Sequence, residues 1–276
     1  MARAGYGAAV NDLDVRLAAL DSRLSGLGSV LVAFSGGADS AFLLAAAARA
    51  LGPDLVVAAT AVSPSLAAAE LPPAQAYAAG LGVRHVTPST DELSRPGYVA
   101  NGGDRCFHCK ATLVDTLRPL AASLGLAHVL TGTNADDGAA GFRPGIRAAA
   151  DRGALTPLLD AGLTKEQVRA ASRAWGLQTA DKPALACLAS RIAYGVPVTP
   201  YRLAAVDRAE TALRARLVPV DVRVRDLGGG AARVELDPEA LARCDGDALD
   251  LVRREGFADV VAAPFRSGSM NDALPA

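Results

Sequence analysis

Two rhythms of hydrophobic and polar residues divide the chain. In the first, short β-branched apolar runs alternate with longer runs of helical spacing. Leu13, Leu17, Leu20 and Leu24 recur every three or four positions over 10–27, one face of an amphipathic helix. Val30-Leu-Val-Ala-Phe34 then reads as a strand, and Ala41-Phe-Leu-Leu with the alanines after it reads as a helix. Further strands are predicted over 54–63, 83–87 and 127–131. A helix follows the second, interrupted at Leu71-Pro-Pro73, and another spans 110–125, with a loop-rich stretch over 89–104. Thr164, with Gln167 three residues on, is placed to cap a helix that starts there. Strands alternating with helices predict an α/β fold: a parallel sheet with helices on both faces.

The second rhythm begins after Asp181-Lys-Pro183. A helix over 201–216 is followed by strict alternation at Val220–Arg225, a turn through Gly228-Gly-Gly230, and a return at Ala232-Arg-Val-Glu-Leu236. Period-two alternation around a glycine turn is a β-hairpin. A helix over 238–255 and a strand over 258–262 complete a smaller α+β unit. The expected domains are therefore 1–182 and 183–276.

Between the first strand and its helix stands Ser35-Gly36-Gly37-Ala38-Asp39-Ser40. A strand turning on glycines into a helix gathers backbone N–H groups and the positive end of the helix at one point, an anion site. No lysine follows, so this is not the Walker-type loop. Ligands of parallel sheets bind beyond the carboxyl ends of strands. Residues 35–40, the loop after Ser63, and Gly132-Thr133-Asn134-Ala135-Asp136-Asp137 all follow strands and are expected to share one rim. The last stretch reads either as an Asx-turn with a helix cap or, beside a triphosphate, as carboxylates that with Asp39 suit magnesium.

Composition changes this picture little. The 276 residues are 51% hydrophobic and 21% charged, with a net charge of −1, so no general pull towards nucleic acid is expected. No apolar run reaches membrane-span length and no basic-then-apolar leader opens the chain, so no membrane and a cytoplasmic location are expected. Reduced thiols then make the four cysteines candidates for thiol chemistry or metal binding. Cys106 and Cys109 form a Cys-x-x-Cys in a glycine-rich loop before a helix, open to redox, zinc or iron–sulfur readings. His108 between them reads as a surface residue. Cys187, close to Arg191, reads as a stabilised thiolate or as a small buried hydrophobe. Cys244, in a polar helix, receives no role. Arg223 and Arg225, two apart on a strand, share one face and suit a phosphate, or are solvated surface charges.

The 35–40 string, flanked by strand and helix on the correct sides, resembles the pyrophosphate loop of the ATP pyrophosphatase (PP-loop) superfamily. Its members split ATP into AMP and pyrophosphate while adenylating an oxygen of their substrate. Taken with Arg105-Cys106-Phe-His-Cys109-Lys110, Gly132 to Asp137, Arg143-Pro-Gly-Ile-Arg147, Asp181-Lys-Pro-Ala184, Cys187-Leu-Ala-Ser190-Arg191, Val222-Arg-Val-Arg225 and Phe265-Arg-Ser-Gly-Ser-Met-Asn271, the chain resembles the LarE family along nearly its whole length. These are ATP-dependent sulfur transferases of nickel-pincer cofactor synthesis.

The resemblance implies that a carboxylate of a pyridinium dicarboxylate mononucleotide is adenylated and then converted to a thiocarboxylate. It implies ATP on Ser35, Gly36, Gly37, Asp39, Ser40, Gly132, Thr133, Asn134 and Asp136, with magnesium. It implies catalytic roles for Asp39, Cys187, Ser190 and Arg191, and substrate contacts from Arg191, Glu210, Arg223 and Arg225. Sulfur is expected through a 4Fe-4S cluster on Cys106, Cys109 and Cys187. The alternative is sacrifice of Cys187 itself, which leaves Cys106 and Cys109 without a role. A small-molecule substrate, no nucleic acid and a homo-oligomer are expected. Other PP-loop enzymes, an amide synthetase or a tRNA thiolase, are alternatives within the superfamily, and a non-catalytic ATP-binding redox sensor is one outside it.

Overall fold

The computed structural model describes residues 11–139, 144–183, 186–266 and 268–270. The predicted helix start at Val10 and the motif residues Arg143, Ala184, Ser267 and Asn271 lie outside them. The chain forms two compact units. The first takes residues up to Thr60, Pro72–Pro88 and Val114–Leu185. The second takes Ala61–Leu71, Ser89–Leu113 and the chain from Ala186 onward. The division is therefore not a single cut near 182: two earlier segments join the second unit, which no change of composition announces.

The first unit is an α/β layer structure. Strands β1 (Val30–Ala33), β2 (Val56–Ala59), β3 (Arg84–Val86) and β4 (His128–Thr131) form one parallel sheet in the order β3-β2-β1-β4. The two central strands read as unbroken apolar runs because both faces of the sheet are covered. Helix Ala38–Leu51 buries nine of its residues, Phe42, Leu43 and Leu44 among them. Its alanines let it lie close on the sheet. Phe42 stacks at 4.8 Å from the Trp175 ring, and the Arg49 guanidinium lies 4.0 Å above that ring.

Two local expectations change. Pro72 and Pro73 do not interrupt a helix; they sit in the first turn of Leu71–Gly80, where a missing N–H costs nothing. The strand expected over 54–63 is only Val56–Ala59, because Pro53 starts a 3-10 turn before it; beyond it Thr60 still donates its N–H to Val86 O, and Val62 makes an isolated bridge to Ser89. The cap at Thr164 forms in full: its hydroxyl takes the Gln167 N–H, and the Gln167 side chain takes the Thr164 N–H.

The second unit is built on β5 (Val222–Gly228), β6 (Ala231–Leu236) and β7 (Asp259–Pro264), with β5 and β6 antiparallel and β6 and β7 parallel. The hairpin turns on Gly228, Gly229 and Gly230, all at positive φ, which glycine adopts without a Cβ clash. Helix Pro200–Leu217 packs Leu203, Val206 and Leu213 into the core formed with Val222, Val224, Val234 and Leu236. The helix expected over 238–255 is broken in two, Pro238–Ala242 and Gly246–Arg253, by Asp245, whose carboxylate caps the second piece. Cys244 lies in that break rather than in a helix, partly buried against the core.

Candidate functional site

In the first unit, β1 and β4 run parallel in register, Ala33 beside Thr131, so the 35–40 loop and Gly132 to Asp137 leave the sheet at the same edge. The loop start is fixed at Phe34, whose N–H donates to Ala59 O and whose carbonyl accepts the Thr60 hydroxyl at 2.7 Å. That hydroxyl is thus occupied as a donor, so at 2.8 Å it accepts from His85 Nε2–H. Burial holds His85 below its ordinary pKa, towards the neutral form.

The loop closes on its two serines. Ser40 Oγ donates to Gly37 O at 3.1 Å and accepts from Ser35 Oγ at 3.1 Å and Ser35 N at 3.3 Å. Gly36 has φ +75. Gly37 caps the helix with no side chain, leaving the first helical N–H groups to a ligand. Gly132 is required by contact rather than by φ: a Cβ there would lie 2.8 Å from Ser40 N and 2.9 Å from Ser40 Cα. Lys182 Nζ donates to Gly36 O at 3.1 Å. Its backbone is clamped by Arg169, which donates to Ala180 O and Lys182 O.

Asp39 is the electrostatic centre of this edge. Its Oδ1 is buried with no hydrogen-bond partner among the described residues. Burial raises its pKa above the ordinary value; the Asn134 side chain and the charge of Lys165 oppose this, and the charge of Asp137 adds to it. A buried carboxylate oxygen without a donor is what a cation complements, so this edge fits magnesium held beside a triphosphate. Asn134, itself buried, also accepts the Asp137 N–H at 3.0 Å, so the Asx cap and the polar cluster are one feature. Asp136 accepts the Lys165 N–H at 2.7 Å and caps the helix Lys165–Ala174. Thr133 serves through its backbone, its carbonyl accepting the Leu159 N–H.

The second unit holds the cysteines and the arginines. The helix expected from Lys110 begins at Arg105, so Cys106 and Cys109 stand in its first two turns rather than in a loop. Cys106 and Cys187 are exposed, and Cys109 is half-buried against the second core. Burial and the nearby charges of Cys187, Glu92 and Cys106 push the Cys109 thiol up to about 12, so the three thiols lie within electrostatic reach. Among the described residues no group of three His, Cys, Asp or Glu side chains converges as ligands of a single ion. Thiols are the donor type a 4Fe-4S cluster takes, one thiolate to an iron, and Cys106, Cys109 and Cys187 all belong to the second unit. His108 is not a free surface residue. It is half-buried, 3.2 Å from the Asp104 carboxylate, and its ring fills the space a Cβ on Gly97 would occupy.

The hairpin puts Val222, Val224, Val234 and Leu236 on its core face, and Arg223, Arg225, Arg233 and Glu235 on the other. Arg223 and Arg225 are not solvated charges: they are 9% and 5% exposed. Arg225 pairs with Glu235 at 2.9 Å and donates to Ser190 O. Arg191, 4% exposed, pairs with Glu210 through Nε and Nη2, and its Nη1 donates to the carbonyls of Ala186 and Cys187 and to Ser190 Oγ. Glu210 also accepts the Val224 N–H at 3.0 Å, tying the helix to β5. Glu210 thus holds Arg191 and β5 in place. Three buried arginines face two buried glutamates. Burial, and then the neighbouring Arg191 charge, lower the pKa of Arg223. An anion relieves such crowding.

A pyridinium-3,5-bisthiocarboxylic acid mononucleotide synthase of Lactiplantibacillus plantarum is 36% identical to the chain over 271 residues, 95% of this chain and 96% of that one. The chain belongs to the LarE family. An uncharacterised protein of Synechocystis is 40% identical over 269 residues, 95% of this chain and 99% of its own. No protein-family model matches the chain.

In this LarE-family chain, sequence reasoning missed four side chains that the structure brings to these sites. Lys182 and Arg169 lie at the loop, and Glu235 and Arg233 among the arginines. The signal for Glu235 was present: a hairpin turning at 228–230 sets it opposite Arg223. Arg169 carried none, since its role is to clamp carbonyls more than ten residues away.

Proposed function

We propose that the chain is an ATP-dependent sulfur transferase that turns the carboxylates of a pyridinium-3,5-biscarboxylic acid mononucleotide into thiocarboxylates in nickel-pincer cofactor synthesis. The observation that carries the reading is the 35–40 loop, with its uncapped helix start and the buried, unpartnered Asp39 oxygen. A carboxylate cannot be displaced by sulfur directly, because oxide is too poor a leaving group. Its oxygen attacks the α-phosphorus of ATP, the bond to the β-phosphate breaks, and pyrophosphate leaves. A sulfur nucleophile then attacks the acyl carbon of the mixed anhydride and AMP leaves.

Within this reading the loop N–H groups and Lys182 take the departing pyrophosphate charge. Magnesium, where Asp39 would hold it, supplies charge neutralisation at the triphosphate. Arg223 and Arg225, braced by Glu210 and Glu235, take the substrate phosphate, for which buried guanidinium forks are suited. Ser190 and Arg191 fix the backbone that carries Cys187. Cys106, Cys109 and Cys187 would hold a 4Fe-4S cluster, which when bound supplies an iron open to an extra sulfide.

The test is anaerobic reconstitution with iron and sulfide, then turnover with ATP and the dicarboxylate. Thiocarboxylate, AMP and pyrophosphate are the expected products, with the brown absorption lost in Cys106→Ala, Cys109→Ala or Cys187→Ala. A colourless protein whose Cys187 becomes dehydroalanine after one turnover replaces the cluster with the sacrificial route. ATP left intact, or AMP formed only with tRNA or ammonia, overturns the assignment.

A further inference from the structure

Asn101 is fully buried and stands at φ +57, a backbone region that asparagine tolerates better than most side chains. Its side-chain amide donates to three carbonyls of one distant segment: Ile192 at 3.3 Å, Ala193 at 2.8 Å and Val196 at 2.8 Å. Its backbone carbonyl accepts the Gly195 N–H. Its Oδ1 accepts from Arg105 Nη1, and the same Nη1 donates to Ala189 O at 2.9 Å. The Arg105 guanidinium, buried although charged, lies 5.3 Å from the Tyr194 ring centroid. Apart from the bond between Arg105 and Asn101 themselves, these contacts join the residues around the start of the cysteine helix to the residues that follow Cys187. A second tie runs beside it: Ser65 O accepts the Leu188 N–H, and Ser65 Oγ bonds the hydroxyl of the buried Tyr98.

We infer that Asn101 and Arg105 are positioning residues that set the spacing between the Cys106–Cys109 turn and Cys187. The inference rests on the reading of those three cysteines as one functional set. Arg105 immediately precedes Cys106, so a guanidinium fixed at both Asn101 and Ala189 fixes the start of the helix, and with it the direction of both thiols. Asn101 binds the 192–196 turn on its far side. Without the two side chains, the cysteine helix and the Cys187 segment remain joined through the apolar core, Ser65 and the backbone bonds of Gly195 to Asn101 O and Val198 to Val99 O, but lose the side-chain bonds that hold their spacing. Cys106 and Cys109 keep their mutual spacing in any case, because one helix turn sets it.

The test is thiol bridging in the iron-free, full-length chain under anaerobic conditions. Phenylarsine oxide condenses with two thiols, forming two As–S bonds and releasing water. Peptide mass spectrometry then counts bridges that include Cys187 against Cys106–Cys109 bridges in the same sample. Asn101→Gly keeps the left-handed backbone and removes only the side chain. It and Arg105→Gln should each lower the ratio by about tenfold, the scale of one charge-assisted hydrogen bond. Arg105→Lys, whose ammonium can donate to both acceptors, should restore most of it. A wild-type ratio in either variant removes that residue from the assignment. Equal loss of both kinds of bridge marks general unfolding and overturns it. Absence of any Cys187 bridge in the wild type overturns the grouping of the cysteines itself. Neither readout depends on turnover, so failure of the sulfur-transfer reading is seen separately, in the products.

Discussion

The candidate charge sites of the two units are built in opposite ways. The 35–40 loop of the first is made of backbone: glycines, a helix start without a side-chain cap, and two serines that bond mainly to each other and to the loop. The arginine cluster of the second is made of side chains from four separate segments, around 191, 210, 223–225 and 235, each held by a buried ion pair. A backbone site needs only local spacing. A side-chain site needs the fold first, and its desolvated charges hold only while all partners are present. The two should therefore fail differently when one residue is changed.

The largest effect is expected at Glu210. Glu210→Ala leaves Arg191 buried without its partner and removes the acceptor for Val224 N–H, so stability should fall by about 3–5 kcal/mol in urea titration. A loss within the range of surface substitutions would show that the cluster tolerates gaps and that the contrast is false.

Gly132→Ala tests the backbone site. The added carbon meets Ser40 backbone atoms rather than a side chain that can move. Overpacking of this kind costs about 1–3 kcal/mol and should displace the loop, so pyrophosphate release falls more than stability does. Pyrophosphate release at the wild-type rate would mean that the loop is looser than its contacts suggest.

Arg223→Ala should weaken binding of the phosphorylated substrate by about 1.5–3 kcal/mol in calorimetry, with ATP affinity unchanged. Equal losses for both ligands would place Arg223 outside a substrate-phosphate role.

The smallest effect carries a sign. Burial raises the Asp39 pKa in the fold, so the folded chain prefers the protonated form. The stability linked to this preference is full below the ordinary value of 3.8 and is lost as pH rises through the folded pKa. Asp39→Asn should therefore raise the Tm of the ligand-free chain at pH 7, with the difference vanishing as pH falls below 3.8. A lower Tm at pH 7 would show that Asp39 stabilises the fold and is not held ready for a ligand.

The same contrast explains what the sequence disclosed. The loop, its strand and its helix were legible because Ser35 to Ser40 are contiguous and each glycine has a local reason. The four parallel strands were legible from their apolar runs, and the hairpin from its alternation. The pairing of Arg191 with Glu210 was not, since nothing in the spacing of a helix residue and a 3-10 turn says that they meet. The cysteine helix was started five residues late because Gly102, Gly103 and Asp104 read as loop, although Arg105 already belongs to the helix. The second unit's claim on residues 61–71 and 89–113 left no mark in composition, because those segments join it through contacts such as Ser65 with Leu188 and Asn101 with Ala193.

Adenylation of the substrate carboxylate is the centre of the account, and oxygen labelling tests it most directly. The dicarboxylate mononucleotide, labelled with oxygen-18 in its carboxylates, is incubated with ATP and the reconstituted protein, and AMP is examined by mass spectrometry. The account predicts one labelled oxygen in each AMP, because the carboxylate oxygen that attacks phosphorus leaves with it, and one AMP for each thiocarboxylate. Unlabelled AMP, or ADP in its place, would contradict it.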